Sequence, residues 1–287
     1  MPNLIDIRRR VKSVKNTQQI TKAMKMVSAS KLRRASEKAV ASRPFVARLA
    51  SIHQSILALT DTSTNPYYRS SEARGKVLVV MAGDKGLCGS FNSNVYKAVF
   101  RFLAEHGSEE TQLVLVGKKA CQKFAKGPAK VLAQFPGILR EVNQEAAREL
   151  LSVLMAAFQT DEIGEVHVVY NEFHSALSQV VTFRQLMPLT AQTEEAGFGT
   201  TMAIEPLAEP SREAILERLT PGVLMTTVLQ ALLESVASEH AARMTAMDAA
   251  TNNAIDMEGR LTLEMNKARQ AAITTELIEI VSGAAAL

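Results

Sequence analysis

Apolar positions near the N-terminus repeat with a helical rather than an alternating period. Leu4, Ile7, Val11 and Val14 follow a 3–4–3 spacing, the seam of a coiled coil. Between Asn3 and Leu59 there is one proline, Pro44, and no glycine, so almost nothing punctuates a helix of that length. Past Val14 the stripe thins: Thr17, Thr21 and Ser28 fall near inward positions beside Ile20, Met24 and Val27. At ~1.5 Å per residue such a helix spans roughly 80 Å, far beyond an ordinary globular helix. With so partial a stripe it needs a partner of comparable length.

The partner lies at the other end of the chain. After Pro221-Gly222 the sequence reaches Leu287 with no proline and only Gly259 and Gly283. Leu229, Leu232, Val236, Ala241, Met244 and Met247 carry the apolar or small stripe, continued by Leu261, Met265, Ala268 and Ala271. This is close to ~100 Å of helix. Two long terminal helices around a shorter middle predict an antiparallel coiled coil.

The middle alternates strands and helices. Strands are predicted at Lys76–Met81, Gln112–Val116, Val131–Phe135, Glu165–Asn171 and Gln179–Pro188, the last two as a hairpin. Helices are expected at Asn94–His106, Lys118–Lys126 and Asn143–Gln159. The fold class is α/β: a central Rossmann-like domain with a mostly parallel sheet, plus the long antiparallel coiled coil. The boundaries are 1–60 for the N-terminal helix, 61–210 for the central domain with its polar linkers (61–75 and 189–210), and 211–287 for the C-terminal helix.

Composition narrows the class. Of 287 residues 47% are hydrophobic, which excludes a wholly disordered chain. No apolar run approaches the ~20 residues of a membrane span, and Met1 leads into a charged stretch with no signal-peptide region. Cys88 and Cys121, with no CxxC spacing, form neither a disulfide framework nor a zinc site. Residues 1–50 carry 13 Lys and Arg against two acids, a net +11, whereas the rest carries 20 basic and 27 acidic side chains, a net −7. Such a basic arm fits nucleic acid, a membrane surface or an acidic protein partner. Nucleic acid ranks last, because no aromatic interleaves the cations before Phe45.

Catalytic chemistry is sparse. The loop Gly83-Asp84-Lys85-Gly86-Leu87-Cys88-Gly89-Ser90 follows the first strand, where backbone N–H groups could meet phosphate. Its spacing is GxxGxxG rather than GxGxxG or GxxxxGK[ST], which favours a structural turn over a nucleotide site. Cys88 reads as a small buried residue rather than an activated thiol. His167 reads as a satisfied sheet residue, and the five histidines form no metal or triad pattern. No catalytic residue, metal site or cofactor is expected. The alternatives are an α/β nucleotide-binding enzyme using loop 83–90, or a basic coiled-coil binder.

Three blocks of this sequence carry a resemblance. IRRRVKSVKNTQQITKAMKMVSASKLRRAS (Ile7–Ser36) resembles the N-terminal helix of the gamma subunit of F-type ATP synthases, bacterial type. ASEHAARMTAMDAATNN (Ala237–Asn253) and NKARQAAITTELIEIVSGAAAL (Asn266–Leu287) resemble its C-terminal helix, with the signature Ile273, Thr274, Glu276, Glu279, Gly283 and Ala284. GDKGLCGSFN resembles the family's SDRGLCGGYN, with Gly83 and Lys85 replacing Ser and Arg.

The resemblance implies a non-catalytic central-stalk rotor. Its coiled coil would stand inside the hexamer of alpha and beta subunits. Its α/β domain would lie beside the epsilon subunit and on the membrane c-ring, so that protein partners alone hold it to the membrane. Proton-driven turning of the ring would then cycle the beta sites between conformations. Arg269, Gln270 and Thr274 match positions that contact a beta-subunit catch loop, and Met24 and Arg243 match the neck at the beta subunits' acidic levers. Glu205, in MAIEP, matches the segment at the membrane ring, although Met202 stands where the family often has Tyr. The family motif begins within the first ten residues, which implies a bacterial or processed chain on the cytoplasmic side of the cell inner membrane. The small, apolar tip Ser282–Leu287 suits a sleeve that must slip, and the basic arm has the sign to face acidic levers. Reversing Lys22, Lys25 and Lys31 to glutamate is therefore expected to impair assembly or coupling; unchanged ATP-driven proton pumping in the assembled variant would count against this pairing.

Overall fold

The computed structural model describes residues 4–62, 65, 67–68, 73–160, 162–189, 209 and 211–285. Among the described residues the elements run in the order α1 (Leu4–Leu57), β1 (Gly75–Met81), α2 (Phe91–His106), β2 (Thr111–Val116) and α3 (Lys118–Phe124). β3 (Lys130–Phe135), α4 (Gln144–Phe158), β4 (Ile163–Phe173), β5 (Gln179–Met187) and α5 (Arg212–Ala285) follow, with one 3-10 turn at Ile138–Arg140 between β3 and α4. The chain divides into two compact units, Ser30–Ala242 and the pair of segments Met1–Ala29 and Arg243–Leu287.

In the larger unit the sheet order is β3-β2-β1-β4-β5. β1 pairs in parallel with β2 and β4, β2 in parallel with β3, and β5 returns antiparallel on β4. The mostly parallel sheet and its terminal hairpin are thus as the sequence pattern predicts. The alternation in KVLVVM works on both faces. Val77, Val79 and Met81 meet Leu150 and Leu154 of α4 and Leu224, Val228 and Leu232 of α5. Leu78 and Val80 meet Val95, Val99 and Phe102 of α2 and Phe124 of α3. Strands buried on both faces read as continuous apolar runs. Asn143 caps α4, its Oδ1 accepting from the Ala146 N–H at 2.8 Å. Gly117, at φ +89, ends β2 where a Cβ would lie 1.9 Å from the Ala82 carbonyl oxygen, so only glycine fits.

The C-terminal helix begins at Arg212, next to the expected boundary at 211, and carries Pro221 inside it. Burial of Leu216, Thr220, Val223 and Leu224 holds the turn together, and the Thr220 hydroxyl donates to the Leu216 carbonyl at 2.6 Å. Several buried side chains outweigh the ~3 kcal/mol cost of an interior proline. One expectation needs correction: although no apolar run was expected to approach a membrane span, α5 contains a stretch long and apolar enough by composition to cross a membrane, half of it buried within the protein. Its apolar character is that of a core helix, spent on the sheet.

Beside this turn, His53 of α1 is buried, its Nε2 2.7 Å from the Tyr68 hydroxyl, which in turn hydrogen-bonds Thr220. Burial lowers the pKa of His53 below its ordinary 6.5 and raises that of Tyr68. The folded state thus binds fewer protons at His53 than the unfolded chain does. Stability is full above 6.5 and falls as pH drops from there through the lower folded value. Comparing unfolding by urea at neutral and mildly acidic pH should show this loss in the parent chain, and a shallower pH slope in His53→Gln.

Candidate functional site

The smaller unit is a two-helix coil. Ile7, Thr21 and Ser28 of α1 and Met247, Thr251 and Ala254 of α5 are buried in its seam. The Thr21 and Thr251 hydroxyls hydrogen-bond across it at 2.8 Å, and Lys25 Nζ donates to Asp248 Oδ1 at 2.5 Å beside it. The seam is therefore built from small and hydroxylated side chains, which let two backbones approach closely. Thr17, Ile20 and Val27 turn outward instead of lying near the seam, Ile20 and Val27 with more than half their surface exposed.

Beyond this paired stretch α5 continues. From Arg269 onward every described side chain is exposed, including Ile273, Leu277, Ile278, Ile280 and Val281. A row of large apolar side chains standing in water marks a surface that takes a cover. Arg269, Gln270 and Thr274 lie together on this segment, with the Thr274 hydroxyl donating to the Gln270 carbonyl at 2.9 Å. Glu276 and Ala284 are exposed, and Glu279 and Gly283 continue the same helix. Met24 is half-buried and Arg243 is 7% exposed, both on the coil. Glu205 lies outside the described residues.

In the larger unit, the glycine loop makes a turn held by hydrogen bonds to neighbouring segments. The Gly83 N–H donates to Asn92 Oδ1 at 2.9 Å, and its carbonyl accepts from the Lys119 N–H at 3.0 Å. Asp84 Oδ1 accepts from the Lys118 N–H at 3.0 Å. The carboxyl of Glu239, on α5, sits so close that a Cβ on Gly83 would lie 2.8 Å from its Cδ. The carboxylates of Asp84 and Glu239 thus both lie at this turn. Cys88 is buried, its sulfur 3.2 Å from Asn92 Nδ2. His167 pairs with Glu165 at 2.9 Å within β4. Burial would raise the Glu165 carboxyl, but hydrogen bonds from Lys76 and His167 outweigh it and lower its pKa.

A buried polar joint ties three elements. Arg43 Nε of α1 bonds Glu234 Oε1 of α5 at 3.0 Å, and its Nη2 donates to the Phe173 carbonyl at the end of β4. Gln230 Nε2 donates to Glu234 Oε1 at 2.6 Å and to the Ala39 carbonyl at 3.1 Å, while the Ser42 hydroxyl donates to Gln230 Oε1. Glu234 is only 5% exposed at its side chain. Sequence reading missed this joint; its signal is a Gln and a Glu four residues apart in the mostly apolar run Val228–Leu233 and the position after it.

Comparison with known proteins gives this architecture its family. A family model described as ATP synthase matches residues 3–287. The ATP synthase gamma chain of Solibacter usitatus (strain Ellin6076) is 46% identical over 290 positions, covering 100% of this chain and 99% of its own. The chain belongs to the ATP synthase gamma-chain family. The gamma chain of Geotalea uraniireducens (strain Rf4) is 43% identical over 285 positions, covering 99% and 98% of the two chains. Among solved structures, a chain of the Tetrahymena thermophila mitochondrial ATP synthase central stalk and c-ring is 27% identical. Its TM-score is 0.61, covering 80% of this chain and 99% of that one. A chain of the Euglena gracilis mitochondrial ATP synthase, in a structure of OSCP, F1 and c-ring in rotational state 3, reaches a TM-score of 0.69. At 20% identity over 99% and 94% of the chains, that likeness is one of fold.

Within this gamma-chain fold the joint makes a sharp energetic prediction. Arg43→Met leaves the Glu234 carboxylate buried without its cation and should cost about 2–3 kcal/mol, moderated by the partial exposure of Arg43. The double change Arg43→Met with Glu234→Leu should recover part of that loss. Urea unfolding of the two variants and the parent measures both.

Proposed function

We propose that this gamma chain is the central-stalk rotor of a rotary ATP synthase, coupling proton-driven rotation of the membrane ring to conformational cycling of the catalytic beta subunits. The observation that carries the mechanism is the uncovered C-terminal segment of α5. Its apolar side chains call for a surrounding sleeve, and from Leu277 onward its residues are mostly apolar or small, so a sleeve can hold that end without locking it. The alpha and beta hexamer supplies that sleeve. Arg269, Gln270 and Thr274 contact the beta catch loop, while Met24 and the largely buried Arg243 stand at the neck where the shaft meets the beta levers. The central domain meets the epsilon subunit and, through Glu205, the c-ring.

Physically, an asymmetric shaft touches three equivalent sites unequally, and each contact favours one conformation of its site. Rotation exchanges those biases in turn, so the nucleotide affinities of the sites exchange with them. The chain needs no catalytic group for this, and the engaged loop 83–90 with Glu239 beside it fits a structural role. As part of a membrane-associated complex it is held by protein contacts, here placed on the cytoplasmic side of the cell inner membrane.

The test is co-purification with alpha and beta subunits, followed by ATP hydrolysis and ATP-driven proton pumping with the chain present or absent. Stable association and loss of coupled pumping in its absence are expected. Full steady hydrolysis and full coupling without it would sink the assignment.

A further inference from the structure

A cleft of about 260 Å³ opens between α1, the segment after β3 and α5. Lys31, Arg34 and Lys38 line it from one face of α1, and Arg140 lines it from the opposite side. The spacing of three and four residues puts the α1 cations on neighbouring turns of the same face. Among the described residues none of these three has an acidic partner within ion-pair distance; the ion pairs of α1 belong to Lys25, Arg33 and Arg43. The floor is apolar, formed by Leu139, Val142, Leu233 and Val236.

Arg140 is positioned for this cleft. Its N–H donates to the Gly137 carbonyl at 3.1 Å in a turn that Gly137 enters at φ +97. Its Nε lies 4.0 Å from Asp84 Oδ2, an oxygen that is buried and makes no hydrogen bond. The carboxylate therefore holds the guanidinium in place electrostatically without consuming its donors, and 69% of the Arg140 side chain remains exposed. Against four cations stand two acids, Asp84 beside Arg140 and Glu141 on the rim, so the cleft carries an excess of two positive charges.

We propose that this cleft binds a phosphate-bearing small molecule, its phosphate held by Arg34, Lys38 and Arg140 and any organic part resting on the apolar floor. The charge excess matches a dianionic phosphate. Arg supplies a planar fork and Lys mobile point charges, the usual chemistry of phosphate capture. The volume lies near the lower end of small-molecule sites, about 300–1,000 Å³, and is too small to seat a partner helix, whose diameter is about 10 Å. Inorganic phosphates and phosphate esters share this chemistry; the floor separates them, because only an ester has an apolar part to bury.

The test is equilibrium binding of pyrophosphate, orthophosphate and ADP to the full-length chain at low ionic strength, by calorimetry. Rotation is not needed for this readout, so failure here leaves the rotor assignment untouched. Saturable binding of pyrophosphate or ADP is expected, weakened about tenfold by Arg140→Gln and again by Arg34→Gln with Lys38→Gln. ADP binding more tightly than pyrophosphate assigns the site to an ester, and equal or weaker binding assigns it to the inorganic ion. Because Arg34 and Lys38 are exposed, their variants keep the test valid if Arg140→Gln fails to fold. No saturation at millimolar concentrations, unchanged affinity in folded variants, or saturable binding of polyglutamate alone would overturn the proposal.

Discussion

Leu224, Val228 and Leu232 press one stripe of α5 onto the β-sheet, while Gln230 and Glu234 on an adjoining stripe meet Ser42 and Arg43 of α1. One helix must therefore satisfy a sheet and a partner helix over the same few turns. That double requirement explains much of the larger unit. It carries α5 through Pro221, since leaving the helix there would strip the sheet of one cover. It brings the Glu239 carboxyl against Gly83 at the end of the first strand. It also accounts for a buried carboxylate: Glu234 is tolerable because Arg43 and Gln230 both reach it.

The smaller unit obeys a different economy. Its seam is made of Thr21, Ser28 and Thr251 as much as of Ile7 and Met247, so close approach rather than apolar bulk sets the contact. The large apolar side chains Ile20, Val27, Ile280 and Val281 face outward. In a monomer this distribution would be wasteful. In a rotor, a modest internal seam and an apolar outside divide the burial between the shaft and the sleeve around it.

Legibility followed the physics of each level. Strand and helix positions in the middle were readable because KVLVVM and its counterparts bury both faces and turn residues bound them. The parallel order and the hairpin followed from the alternation of elements. The start of α5 was legible where the polar linker ends at residue 210, and burial of Leu216 and Leu224 against the rest of the fold carries the helix through Pro221. Near Ile20 and Val27 the period fitted two neighbouring faces of the helix equally well, and only the partner helix could choose. The residues Arg269, Gln270, Thr274, Met24 and Arg243 were located through family text. Their local sequence carries no chemical signal of its own.

By itself, then, the sequence determined two long helices, an α/β middle, a strongly basic N-terminal arm and the family to which the chain belongs. These depend on period, punctuation and composition, which are properties of neighbouring residues. The tertiary structure alone decided which face of α1 is the seam, and that Arg43, Glu234 and Gln230 form one joint. It likewise decided that Arg34, Lys38 and Arg140 converge on one cleft. Such groupings unite residues up to 191 positions apart, and no local pattern encodes them, because distance along the chain carries no information about which charges fold into reach of one another.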